Sequence, residues 1–84
     1  MKKIKFDKDD VIYGDGDLSE EIYFIKKGKV KIYDTTSVPF IDYSEGQHFG
    51  DIEVVLSLHR EGKAVALVDS IFYLLHKDDL VNII

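Results

Sequence analysis

Glu45-Gly46-Gln47-His48-Phe49-Gly50-Asp51-Ile52, followed nine residues after Asp51 by the chain's single arginine, Arg60, is the stretch on which the reading of this sequence turns. A glycine lets backbone approach a ligand closely. The N–H groups that open a following helical turn point at an anion. A carboxylate accepts hydrogen bonds from sugar hydroxyls, and an arginine forks onto phosphate oxygens. Gly50, Asp51, Ile52, Glu53, Arg60 and Glu61 are therefore the candidate binding residues, a set suited to one phosphate and one ribose. Taken singly, Gly50 is a turn glycine, Asp51 a helix cap and Arg60 an exposed loop cation. Their joint spacing is what distinguishes them.

Outward from this stretch the chain reads as short strands punctuated by turns. Upstream, Val11 to Tyr13 precedes the turn Gly14-Asp15-Gly16-Asp17, and Ile22 to Lys26 leads through Gly28 into Lys29 to Asp34 as a hairpin. Ile22, Phe24, Val30 and Ile32 alternate as residues of the roll interior or of strand packing, and Lys29 and Lys31 form the wet side of their strand. Asp34 to Ser37 is a loop, Phe40 to Tyr43 a strand, and Ser44-Glu45-Gly46 a turn. Downstream, Glu53 to Leu58 makes one or two helical turns opening at Gly50-Asp51, and Lys63 to Val68 and Ile71 to His76 are the last strands. Lys77 to Ile84 begins a helix, with Asp78 and Asp79 at its positive end and Leu80, Ile83 and Ile84 as an apolar stripe. The expected fold is mainly β: an antiparallel β-roll, jelly-roll-like, with a short helix after Gly50 and a C-terminal helix.

Composition bounds the function classes. Eighty-four residues make one small domain, burying roughly 60–65% of the unfolded surface. A hydrophobic fraction of 45% with five Phe and five Tyr is ample for a core. There is no cysteine, so disulfides, thiolate metal sites and cysteine nucleophiles are excluded, which suits a reducing compartment. Met1-Lys2-Lys3-Ile4-Lys5 is followed by charge at Asp7 before any apolar run, unlike a secretory signal, and no stretch approaches the ~20 apolar residues of a membrane helix. A formal charge of −5 argues against a nucleic-acid surface.

Fragments of other motifs fail on context. Gly14-Asp15-Gly16 starts like a dinucleotide fingerprint, but Ser19 holds the third glycine place. A calcium loop centred on Gly16 would need acids where Val11 and Tyr13 stand, so Asp15 and Asp17 are turn residues. His48, His59 and His76 lack ligand spacing, and Ser19, Ser44, Ser57 and Ser70 lack a nucleophile elbow. The chain reads as non-enzymatic.

Phe49-Gly50-Asp51, the short helix and Arg60 resemble the phosphate-binding cassette of the cyclic nucleotide-binding domain family, whose pattern is Phe-Gly-Glu, a helix, then Arg and small residues. The likeness extends from about Asp10 to Ile84. It implies a β-roll sensor for cyclic AMP or cyclic GMP, in which Asp51 holds the ribose 2′-hydroxyl and Arg60 the cyclic phosphate. Three departures stand out: Asp51 is one methylene shorter than Glu, Glu61 replaces a small residue, and Glu53 adds a further acid. The phrase Phe49-Gly50-Asp51-Ile52-Glu53 is most similar to domains of protist potassium channels, such as those of ciliates, which implies a cytoplasmic domain, a membrane partner only through the parent's pore, and a homotetrameric parent. Kinase regulatory subunits and transcription regulators are further parents. The family's lid helix would follow Ile84, so the chain is expected to be a trimmed core spanning residues 1–84. The alternative is the same fold with an emptied pocket, Glu53 or Glu61 neutralising Arg60, serving as an interaction module.

Overall fold

A computed structural model describes residues 2–79. Eight strands and one short helix follow in chain order: β1 (Lys2–Phe6), β2 (Val11–Tyr13), β3 (Glu21–Lys27), β4 (Lys29–Tyr33), β5 (Pro39–Ser44), β6 (His48–Phe49), α1 (Asp51–Val55), β7 (Lys63–Ala66) and β8 (Ser70–His76). They form two four-stranded sheets, ordered β1-β8-β3-β6 and β2-β7-β4-β5, with every pair antiparallel. This is the expected mainly-β roll. Residues 77–79 are helical, as expected for the start of the C-terminal helix. Its expected apolar stripe, Leu80, Ile83 and Ile84, lies outside the described residues.

The inner faces of the sheets enclose an aromatic core. Phe49, buried to 1% exposure, stacks on Tyr23 at 5.0 Å between ring centroids and on Tyr43 at 5.8 Å, and meets Phe72 edge-on at 5.7 Å. Offset and edge-on rings of this kind add to the burial of apolar area. Val30, Ala64 and Ala66 are wholly buried, small side chains that let the sheets close around the rings. The turn aspartates behave as read. Gly14 N donates to Asp17 Oδ2 at 2.8 Å, and Gly62 N donates to Asp15 Oδ1 at 2.9 Å.

Two expectations are corrected. β3 and β4 do not form a hairpin, because they belong to opposite sheets: β3 pairs with β6 and β8, and β4 with β5 and β7. Gly28, at φ 121°, carries the chain across, and a side chain there would overlap the buried Ser70. In β3 the inward set is Tyr23 and Ile25, while Phe24 lies half-buried on the outer face with its ring 5.6 Å from that of His48. Tyr23 wins the inward register through its contacts with Phe49, Tyr13 and Phe72. The basic start, read from the sequence only as unlike a secretory signal, is itself a strand. Lys3 and Lys5 pair with Tyr73 and Ile71, while Ile4 and Phe6 pack against the core.

Candidate functional site

The site is built where β6 passes into α1. Pairing of Tyr23 with Phe49 fixes the end of β6. Gly50 then adopts φ 81° and ψ 5°, the left-handed conformation that glycine accepts, and caps the helix with no side-chain hydrogen bond. Asp51 is therefore the first helical residue and not the cap. Its carboxylate Oδ2 stands 3.5 Å from His48 Nε2. The helix ends at Leu56, and the Ser19 hydroxyl, donating to the carbonyls of Glu53 and Leu58, pins the following turn to the β2–β3 connection.

Arg60 is not the exposed loop cation its position suggests. Its backbone is tied into the β2–β3 turn, with its N–H donating to Asp17 O and its carbonyl accepting from Gly16 N, each at 2.8 Å. Its side chain then runs inward to 2% exposure. Nη1 donates to Gly50 O at 2.7 Å and Nη2 to Glu21 O at 2.6 Å, while Glu53 Oε1 stands 3.8 Å from Nη1. The guanidinium carbon lies 4.4 Å from the centre of the Tyr13 ring and 5.7 Å from that of Tyr23. Among the described residues Nε has no partner. Gly50 is also the residue this packing demands, since a Cβ there would sit 2.7 Å from Nη1.

In front of Gly50 opens a pocket of about 410 Å³. Gly50, Asp51, Ile52 and Glu53 form one wall, Tyr33, Asp34, Phe40, Ile41 and Tyr43 face them from β4, β5 and the loop between, and Tyr13, Leu58 and Glu61 complete it. Five of the six residues read from the sequence thus meet at one pocket. Arg60 lies behind Gly50 and is not part of the wall. Sequence reasoning missed the aromatic wall, although Tyr33 and Tyr43 stand in the strands it recognised.

The pocket's field is negative. Burial raises the Tyr43 hydroxyl above its ordinary range, and the carboxylates of Asp51 and Glu53 push it further. Tyr13 is raised mainly by burial, then by Glu53, against a smaller opposing effect of Arg60. Both phenols stay protonated at neutral pH and remain donors. No group of His, Cys, Asp and Glu that could hold a metal occurs among the described residues.

Residues 3–84 match the cyclic nucleotide-binding domain. The chain belongs to that family. No curated protein sequence matches it. Among solved structures it is similar to the EAL enzyme Bd1971 in its cAMP-bound form, with 27% identity and a TM-score of 0.89 over 96% of this chain and 23% of that one. It is also similar in fold to the catabolite activator protein of Thermus thermophilus, with 22% identity and a TM-score of 0.91 over 96% of this chain and 40% of that one. For cAMP-bound PfPKA-R the values are 23% and 0.92, over 99% of this chain and 31% of that one. The chain thus spans 23% of the length of the Bd1971 chain. None of these three is an ion channel. No helix among the described residues is long and apolar enough to cross a membrane.

Proposed function

We propose that this chain is a regulatory sensor domain that takes a cyclic nucleotide, cAMP or cGMP, into the pocket between α1 and strands β4 and β5. The observation that carries the reading is the meeting of Gly50, Asp51 and Glu53 with Tyr33, Phe40 and Tyr43 around one cavity of about 410 Å³, a size ordinary for small-molecule sites. Asp51 is the acceptor for a ribose hydroxyl, and the aromatic wall is the surface for a base. Arg60 spends one hydrogen of Nη1 on Gly50 O and one of Nη2 on Glu21 O, and its unpartnered Nε has a further hydrogen to offer a phosphate. Binding regulates a parent to the extent that the ligand prefers one conformational state over another.

The finer assignment, the cytoplasmic gating domain of a tetrameric potassium channel, is supported by the phrase Phe49-Gly50-Asp51-Ile52-Glu53. A second reading, an interaction module with an emptied pocket, is favoured by one observation: Glu53 stands 3.8 Å from an arginine whose other bonds go to backbone carbonyls.

Calorimetric titration with cAMP and cGMP separates the two. The sensor reading expects saturable binding that Asp51→Ala weakens by about 1.5–3 kcal/mol, the value of a hydrogen bond to a charged group, and that Glu61→Ala leaves equal or improves. If neither the parent chain nor Glu61→Ala saturates with either nucleotide at millimolar concentration, the interaction module takes its place.

A further inference from the structure

The charge on the pocket wall does not suit an anion. Asp34, Asp51, Glu53 and Glu61 all line it, and no Lys, Arg or His does. The cations nearby are engaged elsewhere. Arg60 is sealed behind Gly50 on two carbonyls and Glu53, and Lys63 lies over the Tyr33 ring at 5.1 Å. A carboxylate only accepts hydrogen bonds, so this wall asks its ligand for donors. A cyclic 3′,5′-monophosphate brings one ribose hydroxyl and a negative charge. The free nucleoside brings three hydroxyls and no charge, with the same base for Tyr33, Phe40 and Tyr43.

Resting on the reading of this cavity as a nucleotide-type site, we infer that it selects an uncharged purine nucleoside over the corresponding cyclic monophosphate. Asp51 and Glu61 accept from ribose hydroxyls, and the acidic wall repels the phosphate that the hidden Arg60 does not neutralise. Discrimination of this kind comes from a repulsive element as much as from an attractive one. The Tyr43 phenol is raised first by burial and then by the charges of Asp51 and Glu53 beside it.

Titration of the 84-residue chain with adenosine against cAMP, and guanosine against cGMP, tests this at low and at high salt. In at least one pair the nucleoside should bind about tenfold tighter or more, which is about 1.4 kcal/mol. Added salt should strengthen cyclic nucleotide binding and narrow the gap, because it screens repulsion. Glu61→Gln, an exposed position on the wall, should raise affinity for the cyclic nucleotide several-fold without raising that for the nucleoside. Equal or tighter binding of the cyclic nucleotide in both pairs overturns the inference and leaves the sensor reading standing. A gap that neither salt nor Glu61→Gln narrows overturns it too, since charge would not be the cause. Saturation by neither ligand class at millimolar concentration overturns both readings.

Discussion

Arg60 shows how far a residue's type and spacing carry, and where they stop. Its distance from Asp51 was legible, but its burial was not, because that depends on the backbone carbonyls of Gly50 and Glu21 meeting in space. A planar fork with donors at both ends fits two such carbonyls, and the faces of Tyr13 and Tyr23 cover the rest. Arg60→Ala should therefore cost about 3–5 kcal/mol of stability, as when one partner of a buried charged network is removed, and Arg60→Lys should recover little of it. Urea denaturation measures both. A loss of affinity with unchanged stability would instead return Arg60 to a purely ligand-facing role. Gly50→Ala forces a side chain into the left-handed region, 2.7 Å from Arg60 Nη1. We expect a loss of about 1–3 kcal/mol in the same assay.

At the scale of elements, alternation revealed which segments are strands but not which strands are neighbours. Val30 and Ile32 share the buried face of β4 as read, yet β4 pairs with β5 and β7, because partner choice is settled by the closing of two sheets over the aromatic core. The strand β1 escaped notice since Lys2, Lys3 and Lys5 outnumber the two apolar residues that seat it. The β4–β5 loop, by contrast, was plain in Asp34 to Ser37. Asp34 Oδ1 accepts from Thr36 N at 2.8 Å, Thr36 Oγ1 at 2.6 Å and Val38 N at 2.9 Å.

These bonds hold the Asp34 carboxyl below its ordinary range, the Thr36 hydroxyl contributing most. A lowered folded-state value means that the loop's stabilisation is present above the ordinary carboxylate range and lost as pH falls through the folded value. An NMR titration should place the Asp34 midpoint below about 3.9, with the Thr36 and Val38 amide shifts following the same midpoint. A midpoint at the ordinary value would show that the loop does not depend on the charge.

Across the whole molecule, stability and site share one aromatic core. Phe49 joins the two sheets and leads directly into Gly50, so Phe49→Ala should cost about 3–5 kcal/mol, much of what a domain of 84 residues has to lose. Thermal melting would show it, and a melt close to that of the parent chain would deny Phe49 this place. Charge is distributed with the same economy. Four carboxylates line the pocket, while Lys3, Lys5 and Lys26 stand on exposed positions of the opposite sheet, with Lys26 over the Tyr73 ring. The family and roll were readable from the cassette and its flanking strands. The sign of the pocket was only partly so, because Asp34 joins the wall from a loop distant in sequence.

That the cassette and strands β4 and β5 enclose a nucleotide-type ligand is tested most directly by following backbone amide resonances while adenosine or cAMP is titrated into the chain. Saturating shifts should concentrate at Gly50, Asp51, Glu53, Tyr33, Tyr43 and Glu61, and Lys3, Lys5 and Tyr73 on the outer face of β1 and β8 should stay unmoved. Shifts centred on that outer face, or none that saturate at millimolar ligand, would contradict it.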